Sequence, residues 1–341
     1  MASSIEDVAK RANVSISTVS RVINRRELVN EQTCKRVEEA IRELRYRPNA
    51  FARGLMLRKS GIIGLVLPDL YGEFYSEVIR GANLQAREMG HNLLLSSAQP
   101  GDDAQDWLAS LGQHALLDGL AVMVSDTMAS GIGPALAELN IPIVVLDGEI
   151  SGVEHDTVVI NQRQGAKSMM EHLLENCRDT RVIFVGGLQT NIDTQARYEA
   201  YCDTLRRAGL TVNPNDVYYL DYTYDSAYRL ADRKVAGWAG NGHCVFAAND
   251  EMAAGVIAAA IARGVSVPRD LAVVGFDDTR VAQMTNPLLT TVRVPMSNMG
   301  ATAIELLCNR IAEPDREPST VSLRAELVVR DSCGGLRNNN K

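Results

Sequence analysis

Short apolar runs alternate with helical stripes from residue 61 almost to the end of the chain, and this alternation restricts the fold more than any other feature. The runs are "IIGLVL" (62–67), "NLLLSS" (92–97), "LAVMV" (120–124), "IPIVVL" (141–146), "VIFVG" (182–186), "VYYL" (217–220), "CVFAA" (244–248) and "LAVVGF" (271–276). Most are too short for a helix, and several are dense in branched side chains, as strands buried on both faces require. Between them lie helical patterns, such as 74–89 and 250–263. Strand and helix in alternation predict crossover units and parallel sheets, and eight strands suit two sheets better than one. The expectation is an α/β body of two doubly wound parallel-sheet lobes with a cleft between them.

The first 60 residues have a different texture. They hold 13 Lys and Arg against 7 Asp and Glu, a net of +6, whereas the whole chain carries −7, which leaves −13 for the rest. A basic head on an acidic body fits a head that approaches a polyanion; a solvated charged face would give the same count. In "SSIEDVAKRANVSISTVSRVIN", Ile5, Val8, Ala9 and Ala12 form one helical stripe, and Val19, Val22 and Ile23 resume it after a break. Ser4 with Asp7 and Ser15 with Thr18 have the spacing of helix N-caps. Asn13 tolerates the left-handed backbone that a sharp turn needs. A third helix fits 31–44, capped by Asn30 and striped by Cys34, Val37, Ile41 and Leu44. The outer face of the second helix (Ile16, Ser17, Thr18, Ser20, Arg21) is short and polar apart from Ile16 and Arg21. Such a face can approach base edges and phosphates closely, with Arg21 able to grip a guanine and Ile16 a thymine methyl. The head thus reads as a small all-α helix-turn-helix unit.

Several function classes recede on composition and motif. No run of 18 apolar residues and no apolar signal core near the N-terminus occur, so no membrane partner is expected and the cytoplasm is the expected location. The six cysteines (34, 177, 202, 244, 308, 333) are widely spaced with no C-x-x-C pair, and read as reduced packing residues. No phosphate-binding glycine loop, H-E-x-x-H or G-x-S-x-G appears, so neither an enzyme nor a cofactor is expected.

The stretches "IEDVAKRANVSISTVSRVIN" and "VNEQTCKRVEEAIRELRYRPNAFARGL" resemble, without a gap, the DNA-binding head and hinge of the lactose repressor family of bacterial transcription regulators. "GLVLPDLYGEFYSEVIRGA", "AANDEMAAGVIAAAIARGVSVPRDLAVVGFDD" and "NPLLTTVRVPMSNMGATAIELL" resemble the family's body, which is similar to the sugar-binding proteins of bacterial transport. The resemblance implies a head at 1–47, a hinge helix and linker at 48–60, a two-lobe effector-binding and dimerisation body at 61–333, and a tail at 334–341. It implies three chain crossings between lobes, near 160, 290 and 320. It also implies a homodimer on double-stranded operator DNA, controlled by a small-molecule effector, most simply a sugar or sugar derivative, with a nucleobase or nucleoside as second choice. Ile16, Ser17 and Arg21 take the base-reading positions; Thr18, Ser20, Asn24 and Tyr46 lie near the backbone, and Ser4, Asn49, Ala52 and Leu55 complete the DNA set. A solute-binding protein for transport would share the body but not the head. Asn13 stands where the family usually has Gly.

Ligands of open parallel sheets sit beyond the carboxyl ends of strands, and Phe74, Tyr75, Tyr222, Asn249 and Asp277 all follow strand runs. The aromatics can cover the apolar face of a ligand or pack the helix that begins there. By resemblance, Arg197, which opens a helix near "ARYEAY", joins Asn249 and Asp277 as polar anchors of the effector, while Asp250 and Asp278 read as helix caps. Gly72 and Glu73 replace the family's Asn-Pro, and Val294 replaces a Gln found in several sugar binders; both changes fall at expected ligand positions.

The stretch "RPNAFARGLMLRKSG" (47–61) places Phe51, Leu55, Met56 and Leu57 in what should be a solvated linker. About two turns of helix containing Gly54 are unstable alone. The resemblance supplies the cover: paired hinge helices in the minor groove, with Leu55 wedged into a base step. Packing on the body is the alternative. Leu55→Ala should therefore reduce operator bending and affinity while leaving ligand binding by the body intact; equal bending by variant and parent, measured by circular-permutation gel shift, would contradict the wedge.

Overall fold

The computed structural model describes residues 4–24, 26–46, 60–97, 117–123, 132–176, 181–240 and 242–334. The hinge positions Asn49, Ala52 and Leu55 lie outside the described residues, as does nearly all of the tail. The chain divides into two compact units, Met1–Gly61 and Ile62–Lys341.

In the first unit, α1 (Ile5–Ala12), α2 (Ile16–Asn24) and α3 (Glu31–Glu43) enclose a miniature core of Val8, Ala9, Ala12, Val19, Val22, Cys34, Val37 and Ala40. These are the positions of the helical stripes. Ser4 caps α1 reciprocally: its hydroxyl accepts from the Asp7 N–H at 3.2 Å, and its own N–H donates to the Asp7 carboxylate at 2.9 Å. Asn13 is left-handed, with φ 53° and ψ 53°. The Ser15 hydroxyl accepts from the Thr18 N–H, and Asn30 caps α3 through the Thr33 N–H at 2.8 Å.

The second unit contains two parallel sheets. The first has the order β11-β5-β4-β3-β1-β2, formed by Thr320–Leu323, Asp156–Ile160, Ile143–Leu146, Gly119–Met123, Ile62–Leu67 and Asn92–Ser97. The second has the order β7-β6-β8-β9, formed by Val217–Tyr219, Val182–Gly186, Cys244–Ala247 and Ala272–Val274. A small antiparallel pair, β10 (Thr291–Arg293) with β12 (Glu326–Val328), completes the strands among the described residues. The helices in chain order are α4 (Glu73–Glu88), α5 (Ile132–Leu139), α6 (Gln162–Asn176), α7 (Ile192–Arg207), α8 (Tyr224–Trp238), α9 (Asp250–Ala262) and α10 (Met296–Ala312). Each sheet is covered on both faces. Ile63 and Leu65 face the core beneath α4 and α10, Val66 and Val122 the core beneath α5; Phe184 and Ile183 likewise point to opposite cores. No helix among the described residues is long and apolar enough to cross a membrane.

All eight apolar runs form strands, several of them shortened, with "LAVVGF" trimmed at both ends to 272–274 and Val124 of "LAVMV" outside the described residues. The four further strands are short and partly polar. β5 opens on Asp156, which is fully buried because Arg310 Nε donates to it at 2.6 Å and Ser319 N and Oγ donate at 2.8 and 2.7 Å. Burial opposes its charge, but these donors outweigh burial and hold its pKa below the ordinary value. The chain passes between sheets at residue 161, at 294–295 and at 324–325.

Two glycines let α4 and α10 touch backbone to backbone: a Cβ on Gly81 would overlap the Ser297 carbonyl oxygen, and one on Gly300 would overlap the Val78 carbonyl oxygen. Gly81→Ala should destabilise the body by about 1–3 kcal/mol or more, because the helices must separate. An unchanged urea midpoint would show that the contact yields without cost.

Candidate functional site

On the head, Ile16, Ser17 and Arg21 project from α2 into solvent, with Thr18 and Ser20 half-buried beside them. An exposed isoleucine and an exposed arginine on the same capped helix offer an apolar contact and a planar donor fork. The Ser17 and Thr18 hydroxyls each lie 2.8 Å from the Ser15 hydroxyl, which fixes their orientation. Tyr46 packs half-buried against the head core. Asn24 ends α2.

In the body, both sheets reverse strand order beside their first strand, between β1 and β3 and between β6 and β8. Crevices beyond the carboxyl ends of strands at such points are where open α/β sheets bind ligands. A cleft of about 410 Å³ lies there, lined from the first lobe by 69 and 71–75 and from the second by residues following β6, β7, β8 and β9. Phe74, Tyr75, Arg197, Tyr222, Asn249 and Asp277 all line it.

Arg197 forms the floor. Only 3% exposed, it sits six residues into α7, not at its start. Its Nε and Nη2 donate to Gln162 Oε1 at 3.2 and 2.9 Å, its Nη1 donates to the Ala248 carbonyl, and its Cζ lies 3.9 Å from the Phe276 ring centroid. Nη2 is also 3.6 Å from Asp277 and 3.9 Å from Asp193. Burial alone would weaken this cation, but the surrounding carboxylates hold its pKa above the ordinary value. Asp277 pays no such complement in full: burial pushes its pKa to about 6 despite Arg197, with Asp193 and Glu251 adding repulsion. Its buried Oδ1 makes no hydrogen bond and meets Arg197 Nη2 only at ion-pair distance, 3.6 Å. Asp277 also has φ 107° and Tyr222 φ 67°, backbone that residues with a Cβ adopt rarely and at a cost.

The other expected residues divide between roles. Phe74 and Tyr75 meet edge to face, with centroids 5.4 Å apart, and pack on the core while lining the cleft. Tyr222 donates to Asn191 Oδ1 at 2.7 Å and lies 2.5 Å from the Thr194 hydroxyl, which leaves its ring to face the cleft. Asn249 is the N-cap of α9: it accepts from the Met252 N–H at 2.9 Å and donates to the Tyr222 carbonyl at 2.9 Å. The cap reading of Asp250 and Asp278 is therefore corrected. Asp250 braces two loops, and Asp278 pairs with Arg293 at 2.7 Å and Arg330 at 2.5 Å. Val294 is buried in the core and does not line the cleft, because the chain crosses between lobes at that point. Glu73 does line it: both its oxygens accept from the Arg280 N–H at 2.9 Å, a bond from the first lobe to the second.

Sequence reading missed Asp193, Thr279 and Asp147. The buried Asp147 carboxyl, at the end of β4, accepts from the Ile160 N–H at 3.0 Å; burial, reinforced by Asp193, pushes its pKa well above the usual range. Its left-handed backbone, φ 50°, carries no sequence signal in an aspartate.

A two-lobe ligand-binding body in one chain with a helix-turn-helix head defines a ligand-responsive DNA-binding regulator. Residues 4–49 match the bacterial regulatory proteins of the lacI family, and residues 170–333 match the periplasmic binding protein-like domain. The chain is 33% identical to Catabolite control protein A of Priestia megaterium, covering 96% of this chain and 98% of that protein. It is 32% identical to the HTH-type transcriptional repressor PurR of Klebsiella pneumoniae, covering 96% of each. The chain belongs to the lacI family of bacterial regulatory proteins, and its relatives are transcriptional regulators, not enzymes. Among solved structures, the transcriptional regulator CelR–cellobiose complex is similar with TM-score 0.71 and 30% identity, covering 97% of this chain and 99% of that one. A lac repressor dimer bound to operator and an anti-inducer shares the fold, with TM-score 0.85 and 24% identity over 98% of this chain and 99% of that one.

Asp250 gives a pH test. Fully buried, it accepts from Thr279 N and Oγ1 at 2.7 and 3.0 Å and from Thr291 Oγ1 at 2.6 Å. Burial raises its pKa to about 8 from 3.8. The folded state then keeps a proton that the unfolded state has released, so this group's stabilisation is complete below pH 3.8 and is lost as pH rises towards about 8. Asp250→Asn should flatten the fall in stability over that interval, and Asp250→Ala should cost about 1–3 kcal/mol or more by stranding buried donors. Parallel pH profiles for Asp250→Asn and parent, read by urea denaturation, would contradict the assignment.

Proposed function

We propose that this regulator represses transcription as a homodimer on a near-palindromic operator, in the cytoplasm, and that a sugar or sugar derivative bound between the lobes of each body sets its affinity for DNA. The carrying observation is the cleft at the two switch points, where aromatic faces and buried polar anchors meet in a chain with a lacI-type head. The relative solved with cellobiose, at 30% identity over nearly the whole chain, supports a saccharide ligand. Two-fold protein symmetry suits paired half-sites.

In this reading Ile16, Ser17 and Arg21 read base edges. Ser4, Thr18, Ser20, Asn24 and Tyr46 hold the phosphate backbone, and Asn49, Ala52 and Leu55 serve the minor groove. Phe74, Tyr75 and Tyr222 cover the apolar face of the ligand, while Arg197, Asn249 and Asp277 orient its hydroxyls. Ligand binding shifts the population between two lobe arrangements, and operator affinity follows.

Arg21→Ala should weaken specific operator binding by about 1–3 kcal/mol, roughly 5- to 150-fold, and relax preference at one base position. Gel shifts against operator variants measure this, and equal affinity for all variants in both proteins would remove Arg21 from base reading. A thermal-shift screen with saccharides should find a ligand that stabilises the parent and not Asp277→Ala. A saccharide that stabilises both equally binds elsewhere.

A further inference from the structure

Two helical segments begin where the lobes meet, and neither is capped by the side chain before it. In the first lobe α4 begins at Glu73, behind Gly72, which has no side chain and takes φ 94°, a conformation open to glycine. In the second lobe a 3-10 turn, Arg280–Gln283, begins behind Thr279. The Thr279 hydroxyl makes no cap bond there; it donates to Asp250 Oδ2 at 3.0 Å. The first N–H groups of such segments have no partner within their own helix. The Glu73 carboxylate serves both ends at once. Its two oxygens accept from the Arg280 N–H at 2.9 Å, across 207 residues of sequence. Its negative charge also sits in the first turn of α4, where the helix dipole favours it.

The backbone joins the lobes at 161, 294–295 and 324–325, and the Glu73 bond adds a fastening at the cleft, which Glu73 and Thr279 both line. Neither Glu73 nor Arg280 belongs to a hydrophobic core, so breaking the bond leaves the interior of each lobe as it was. A like charge works against the contact: Glu251 of α9 also lines the cleft, and its pKa is raised by burial first and by the charge of Glu73 second. The Arg280 N–H holds Glu73 in place against that repulsion. A hydrogen bond to a charged acceptor is stronger than a neutral one, although water competes for this one because Glu73 is only half-buried and Arg280 is exposed.

We propose that Glu73 is a positioning residue, a latch whose bond to the Arg280 N–H sets the spacing of the two lobes. Its loss leaves each lobe folded and lets the two separate. The latch itself is independent of any ligand, whereas its consequence for DNA rests on the effector reading, in which operator affinity follows the lobe arrangement.

The test removes the bond from each side in the full-length protein. Glu73→Ala deletes the acceptor. Arg280→Pro deletes the donor: proline suits the first position of a helical turn, and Thr279 before it is already extended, with φ −71° and ψ 171°. Arg280→Ala keeps the N–H and serves as the control. Lobe separation is read without ligand by double electron–electron resonance, between spin labels on unnatural amino acids at the exposed positions of Glu138 in α5 and Arg233 in α8, with labelled protein diluted so that one protomer of a dimer carries them. The parent and Arg280→Ala should share one distance distribution. Glu73→Ala and Arg280→Pro should each raise the ratio of separated to latched molecules by roughly 3- to 30-fold, as for a partly exposed hydrogen bond to a charged group. The double variant should shift it no further than either single one. Unchanged distributions in both single variants overturn the latch, as does a double variant whose shift is the product of the two. A lowered urea midpoint in Glu73→Ala with unchanged separation overturns it too, and leaves Glu73 as a helix-end charge of α4. Operator affinity of the same variants tests the linked reading: lobes that separate with no change in operator affinity leave the latch standing and remove the coupling of lobes to head.

Discussion

The guanidinium of Arg197 could not be buried unless acceptors from several elements converged on it. A charge taken out of water is tolerated only where hydrogen bonds and opposite charges replace its hydration. Here the replacements come from α6, from the end of β8 and from the loop after β9, with Phe276 beneath the guanidinium plane. Gln162 begins the helix that follows the first crossing between lobes. The arginine therefore depends on, and reports, the correct arrangement of the strand ends that form the cleft. Asp277 completes the set at ion-pair rather than hydrogen-bond distance, 3.6 Å from Nη2.

The parallel topology explains why so much meets in one place. All strands of each sheet end on the same side, so the first residues after β1, β6, β7, β8 and β9 can face one crevice. Glu73 adds a direct bond across it, to the Arg280 N–H. A carboxylate that holds a backbone donor of the opposite lobe couples the spacing of the lobes to whatever fills the space between them. The head is simpler. Its three helices are closed by caps and a small apolar core, which leaves Ile16, Ser17 and Arg21 of α2 exposed.

The fold was legible where burial is symmetric. Strands covered on both faces must be apolar throughout, and "VIFVG" or "IIGLVL" can hardly be anything else. β5 was hidden because its buried Asp156 is satisfied by Arg310 and Ser319, distant in sequence, and β11 and β12 because they are short and their polar residues, Thr320, Ser322 and Glu326, face solvent. The cleft was legible at residues that directly follow a strand. It was not legible at Asp193, which pairs with Arg197 one turn further along α7, or at Asp147, whose importance arises only when the end of β4 comes near these two residues. Asn249 and Asp250 show a finer limit. The sequence offers two adjacent side chains able to cap α9, and only the surroundings decide that asparagine caps while aspartate is drawn inward to Thr279 and Thr291.

The central claim is that occupancy of the cleft governs the grip of the head on DNA. Its most direct test is operator affinity, measured by fluorescence anisotropy at fixed salt, with and without a saturating cleft ligand, for the parent and for Asp277→Ala. Coupling of the usual size would change the parent's affinity by roughly 5- to 150-fold, with little change in the variant. An identical operator affinity in the ligand-bound and ligand-free parent would contradict the claim.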